Sequence, residues 1–156
     1  MIIWILVSVI LALADQLTKY WVISSIPYNN TKEVLPGLFN FVYVKNTGAA
    51  FSILSGRTSV LGIVSMVVCV FVIWYLVKKK PKSALLLTSL GMILGGALGN
   101  LADRILRGYV VDFIELDFIS FPVFNVADIA ITVGAALLMI YVIFFDDKKK
   151  TKEAED

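Results

Sequence analysis

The stretch SVLGIVSMVVCVFVIWYLV, residues 59–77, carries no charged side chain and runs straight into KKKPK at 78–82. A helix rises about 1.5 Å per residue, so this stretch alone spans nearly all of the ~30 Å hydrocarbon layer of a bilayer. A helix on the surface of a soluble bundle needs a polar face, and residues 59–77 supply none. Working outward, three further stretches behave alike: residues 1–23, 84–104 and 123–145 are apolar over most of their length. The 156-residue chain is 59% hydrophobic, with a mean hydropathy of +0.87, against the about 45–50% apolar content of ordinary soluble domains. The expected fold is an all-α polytopic membrane protein with four spans. It forms one integral-membrane domain over 1–156, with a small β-like platform, residues 24–58, between the first and second spans.

Lysines orient the spans. Lys78, Lys79, Lys80 and Lys82 crowd the short second connection, and Lys148, Lys149, Lys150 and Lys152 crowd the tail. Both clusters are expected on the cytoplasmic side, which puts both termini inside and leaves two outward connections. The net charge of +2 then reflects membrane anchoring and gives no reason to expect nucleic acid. Ala12 and Ala14 precede Asp15 in a small-x-small pattern resembling a signal cleavage site, but MIIWIL lacks the positive charge a secretory signal carries at its start, so the first span is expected to be retained. The lone Cys69 lies inside the second span and implies neither a disulfide nor a metal cluster.

Within the outward platform, LFNFVYVKN (residues 38–46) reads as a short strand with a return at Asn46-Thr47-Gly48, and Pro27, Pro36 and Gly37 break any helix before it. In the third span Gly91, Gly95 and Gly99 recur every four residues, a face that lets another helix backbone approach closely. That face leads into Asn100, Asp103 and Arg104, one turn of helix that can brace a polar pocket.

Two acids remain to be explained. Asp112 lies in YVVDFIELD after Gly108 has ended the third span, and it can be read as an ordinary acid of a connection, like its neighbours Glu115 and Asp117. Asp128 lies three residues beyond Asn125 and just inside the fourth span, where it can cap the helix at N3 with Asn125 as N-cap. An ionisable group bordering hydrocarbon is nevertheless costly unless it faces a cavity. The chain has no histidine, which removes serine-histidine-aspartate triads, cysteine-histidine pairs and HExxH zinc sites. A serine-lysine pair drawn from Ser52 or Ser55 with Lys45 stays formally open. Two convergent aspartates form the stronger candidate: close carboxylates cannot both ionise cheaply, so one can hold a proton while the other activates water.

The motifs DQLTK from Asp15, NTGAAFS from Asn46, GGALGNLADR from Gly95, VVDF from Val110 and FNVAD from Phe124 together resemble the lipoprotein signal peptidases (signal peptidase II), bacterial aspartic membrane peptidases, almost end to end. The resemblance implies removal of signal peptides from diacylglyceryl-modified prolipoproteins, cut before the lipidated cysteine. It implies Asp112 and Asp128 as the catalytic pair, with Asp15, Asn46, Gly48, Asn100, Asp103, Arg104, Asn125 and Ala127 shaping the pocket or contacting substrate. It implies no cofactor and no metal. The partners would be prolipoproteins and membrane lipids, and the enzyme a monomer in the bacterial cell membrane with its site at the outer face. A proton or ion carrier using Asp15, Asp103 and Asp128 would want a polar route to the cytoplasmic half, and a structural subunit would leave the two outward acids idle.

Overall fold

The computed structural model describes residues 2–48 and 56–146. Four long apolar helices are each able to cross a membrane: α1 (Ile2–Ser25), α2 (Thr58–Lys79), α3 (Ala84–Leu106) and α4 (Val126–Tyr141), the last continued by a π-helical turn over Val142–Asp146. The chain is therefore a multi-pass membrane protein, and the exposed apolar side chains of α1, α2 and α4 are lipid-facing. The terminal lysine cluster at 148–152, Ser52 and Ser55 lie outside the described residues.

Helix ends follow local chemistry. The helical run of α1 stops just ahead of Pro27, which disfavours helix at the residue before it. Ser83 caps α3, accepting a hydrogen bond from the Leu86 amide. The fourth helix begins at Val126, not at 123. Asn125 takes the N-cap, and Phe124 is engaged in a bridge to Ile114.

The hub of the bundle is α3. Its span is 67% buried, against 22% or less for each of the other three, and it packs against α1, α2 and α4 alike. Glycine makes this possible. A Cβ at Gly95 would lie 2.8 Å from the Ser8 carbonyl oxygen, and one at Gly99 would lie 2.6 Å from Asp15 Oδ2, so the expected glycine face is the seam with α1. Ser8 Oγ also donates across this seam to the Gly91 carbonyl, at 2.9 Å. A second seam was not foreseen. Gly96 faces α4, where a Cβ would overlap the Ala127 carbonyl and come within 2.7 Å of Ile131, and Gly134 of α4 answers it against Ser89 and Ile93. Gly96→Val is expected to destabilise the protein by about 1–3 kcal/mol through overpacking. Cys69 is buried, so a thiol-reactive dye reports its exposure on heating, and the variant's midpoint should fall clearly below wild type.

The platform is a three-stranded antiparallel sheet in the order β1 (Thr31–Leu35), β2 (Phe39–Asn46), β3 (Val110–Leu116). The first two strands come from the expected segment. The third comes from the connection between α3 and α4, so Asp112 sits on a strand and not in a loop. Gly108, at φ +77°, turns the chain out of α3. The strand then pairs along β2, with Asn46 opposite Val110 and Val44 opposite Asp112. Val111 and Phe113 pack with Tyr43 against Val22 and Ile26 at the end of α1, which leaves Val110 and Asp112 facing the bundle side.

Candidate active site

A cavity of about 1090 Å³ is bounded by the end of β2, β3 and helices α2, α3 and α4. Asp112 and Asp128 both border it, together with Asn46, Asn100 and Arg104; the wall deeper between α2 and α4 is apolar, with Val64, Val68 and Ile131 among its residues. The two acids thus meet although they come from a strand and from a helix N-terminus.

Three asparagine amides determine how the carboxylates are held. Each has its oxygen occupied by a fixed donor, so its NH2 group must point the other way. The Asn46 oxygen accepts from the Gly48 amide at 2.8 Å, and its nitrogen donates to Asp112 Oδ2 at 2.7 Å. The Asn125 oxygen accepts from the Asp128 amide at 2.9 Å, and its nitrogen donates to Asp112 Oδ1 at 2.7 Å. The Asn100 oxygen accepts from Lys19 Nζ at 2.9 Å, and its nitrogen donates to Asp128 Oδ1 at 2.8 Å. Asp128 Oδ2 in turn accepts from the Asn125 amide at 3.2 Å, completing a capping box. Asp128 is therefore both a cap and a cavity group, and the two readings of its sequence position do not compete.

Behind the cavity lies a buried ionic cluster. Lys19, wholly buried in α1, has its ammonium 2.8 Å from Asp15 and 3.1 Å from Asp103. With Asn100 that satisfies all three of its donors. Arg107 pairs with Asp103 and donates to Gln16 at 2.9 Å. The charges of Asp15, Asp103, Lys19 and Arg107 cancel. The two acids also reach outward: Asp103 Oδ2 accepts from the Val111 amide at 2.9 Å, and Asp15 Oδ1 accepts from the Ala127 amide at 2.9 Å. Each cavity aspartate thus follows directly on a residue whose backbone N–H is gripped by a buried carboxylate, and Lys19 joins the two grips.

Every site residue expected from sequence falls into one of these layers. Asn46, Asn100, Arg104, Asp112 and Asp128 line the cavity; Gly48 and Asn125 orient the amides; Asp15, Asp103 and Ala127 form the support behind. Arg104 also reaches Ser65 Oγ and the Asn100 carbonyl, both at 3.4 Å. Lys19, Gln16 and Arg107 were not singled out. The available signal was an Asp and a Lys four residues apart inside an apolar span, a pairing that hydrocarbon does not tolerate without partners.

Electrostatics separate Asp112 from an ordinary acid. Burial, and then the charge of Asp128, push its carboxyl up from 3.8 to about 7, against the opposing hydrogen bonds from Asn46 and Asn125. Near neutrality it sits at the boundary between protonated acid and carboxylate, which suits a group that must gain and lose a proton.

The fold and site together describe a polytopic membrane protein with a paired-carboxylate centre where a small sheet meets the bundle. The family profile "Signal peptidase (SPase) II" matches residues 7–144. A lipoprotein signal peptidase of Clostridium acetobutylicum is 42% identical over 151 residues, 95% of this chain and 98% of that one. One from Lactobacillus johnsonii is 41% identical over 93% of this chain and 94% of its own, and one from Enterococcus faecalis is 38% identical over 100% and 96%. A solved bacterial membrane enzyme superimposes with a TM-score of 0.85 at 32% identity, covering 90% of this chain and 87% of that one. The chain belongs to the signal peptidase II family.

Proposed function

We propose that Asp112 and Asp128 act as one catalytic dyad that hydrolyses the peptide bond preceding a diacylglyceryl-modified cysteine, at the outer face of the bacterial cytoplasmic membrane. The coarser activity follows from family membership: the chain is an aspartic endopeptidase that cleaves signal peptides from lipoprotein precursors. The observation that carries the finer reading is the pair of amide-held carboxylates bordering a single cavity whose deeper wall, between α2 and α4, is largely apolar. Such a cavity suits a substrate that arrives as a helix within lipid. The lysines that follow α2 support a cytoplasmic placement of that end, with both termini inside and the sheet outside. The dyad comes from one chain, so a monomer suffices.

In the proposed reaction one carboxylate takes a proton from water as the water oxygen bonds to the scissile carbonyl carbon. The protonated partner donates to the carbonyl oxygen. Collapse of the tetrahedral intermediate breaks the C–N bond as a dyad proton passes to the departing nitrogen, and one hydroxyl of the intermediate returns its proton to the dyad as the new C=O forms. The products are a new carboxyl on the signal peptide and a free α-amino group on the lipidated cysteine, and the dyad again holds one proton.

The test is a pH profile of kcat/KM on a purified diacylglyceryl-modified precursor, with the cut position read by mass spectrometry. Cleavage is expected directly before the lipidated cysteine, with activity falling as pH rises through about 7, where Asp112 gives up its proton. The linked stability effect has the same direction. The folded state holds this proton more tightly than the unfolded chain, so the contribution of Asp112 to stability declines between pH 3.8 and about 7 and is flat above. An alkaline limb that stays flat to pH 9, about two units higher, would contradict the assignment, as would a cut elsewhere.

A further inference from the structure

We propose that Arg104 forms a subsite for the carboxylate that hydrolysis creates on the cleaved signal peptide, so that this product is retained more tightly than a neutral peptide of the same sequence. This deepens the peptidase reading and rests on it. Ala97, Asn100 and Arg104 line the cavity from one face of α3, and the Asn100 side chain, one turn before Arg104, donates to Asp128 at 2.8 Å. The stem of Arg104 lies against α2, where a Cβ at Gly62 would stand 3.9 Å from Arg104 Cβ. Its guanidinium borders the same space as both aspartates. Of all the acids, Asp128 and then Asp112 act on its charge most strongly.

This guanidinium is poorly satisfied. Among the described residues its hydrogen bonds are two long ones from Nη1, to Ser65 Oγ and to the Asn100 carbonyl, both at 3.4 Å. Nε is buried without a partner, and no carboxylate of the described residues forms an ion pair with Arg104. Arg107, three residues on, is by contrast engaged by Asp103 and Gln16. A guanidinium carries five N–H donors in a planar fork that matches a carboxylate, and most of this fork is unspent. The reaction supplies the ligand. Before hydrolysis the scissile carbon bears one neutral carbonyl oxygen; afterwards the same carbon bears two oxygens and, once ionised, a negative charge. A carboxylate takes up the fork bidentately, which a single amide carbonyl does not. The new group forms at the dyad itself, in the cavity that Arg104 borders, whichever way the rest of the peptide lies. The dyad keeps one negative charge in the proposed cycle and repels a second carboxylate, and Arg104 supplies the opposing charge on the cavity wall.

The experiment uses one synthetic signal peptide, ending at the cleavage position, made with a C-terminal carboxylate and again with a C-terminal carboxamide. Its affinity for the full-length protein in bilayers of neutral lipid is read from the fluorescence anisotropy of a dye at the peptide N-terminus. Wild type is expected to bind the carboxylate about 10-fold more tightly than the carboxamide, the scale of one charge-assisted pair. The gap should vanish in Arg104→Gln, with carboxamide binding as the check that its cavity is intact, and Arg104→Lys, which keeps the charge without the fork, should retain part of it. Equal affinities in wild type overturn the subsite without recourse to any variant. A gap of full size in Arg104→Gln also overturns it, since it then arises from partitioning of the two peptides into the bilayer. The same preparations are given the lipidated precursor. Cleavage by wild type keeps the peptidase reading standing when the subsite fails, and absence of cleavage overturns both.

Discussion

Asp112→Asn and Asp128→Asn are each expected to slow cleavage of a lipidated precursor by about 10³-fold or more, at the upper end of what a single acid–base group contributes. Neither amide can take a proton from water at neutral pH. In either position it also disturbs the hydrogen bonding. Asp112 accepts amide NH2 groups on both oxygens, and Asp128 accepts from Asn100 and from the Asn125 backbone. A substituted NH2 group would therefore face another donor. The structural cost is that of one frustrated buried contact, about 1–3 kcal/mol, so both variants should fold and can be compared below their unfolding temperature. The thermal exposure of Cys69 supplies that check for each. A folded variant that kept wild-type turnover would remove its acid from the mechanism and leave it only a structural task, the capping of α4 in the case of Asp128.

The largest effect on the fold is expected from Lys19→Met. Asp15 and Asp103 are wholly buried and share this one ammonium. Its removal leaves Asp103 with Arg107, while Asp15 keeps only neutral donors. Breaking a buried pair from one side typically costs about 3–5 kcal/mol. The damage should pass directly to the site, because these two carboxylates hold the amides of Val111 and Ala127, immediately before the two cavity aspartates, and because Lys19 also fixes the Asn100 amide. Lys19→Met should thus lower the unfolding midpoint sharply and abolish cleavage even at temperatures where the protein remains folded. Adding Asp15→Asn removes the stranded charge and should recover part of the midpoint without recovering activity. Equal midpoints for wild type and Lys19→Met would show that the cluster is not the brace described above.

The spans were legible because hydrocarbon imposes length and apolarity on each stretch independently of its neighbours. The double duty of Asp128 was half legible, since the Asn125 cap lies only three residues away and is a local matter. The strand that carries Asp112 was not. Residues Val110 to Phe113 are all buried, so they lack the alternation that marks a one-sided strand, and their partner β2 comes from the far side of two helices. Lys19 was legible as a charge inside the first span, in DQLTK, but its bracing role was not, for a similar reason: its second carboxylate, Asp103, lies on another helix, and the motif around Asp15 shows only the first. Gly96 was read past because the four-residue glycine rhythm draws attention to one face of α3, whereas a central helix needs close approaches on more than one. Local rules therefore reached the helices and caps, and long-range pairing decided the sheet and the ionic support.

The most direct test of the account is the cleavage rate of the double variant Asp112→Asn/Asp128→Asn beside the two single variants, all on the same lipidated precursor. Two acids that share one proton and one water form a single unit. The double variant is therefore predicted to be no slower than the weaker single variant, within about threefold. A double variant slowed by the product of the two single effects would mean that the acids act independently, and the dyad would have to be given up.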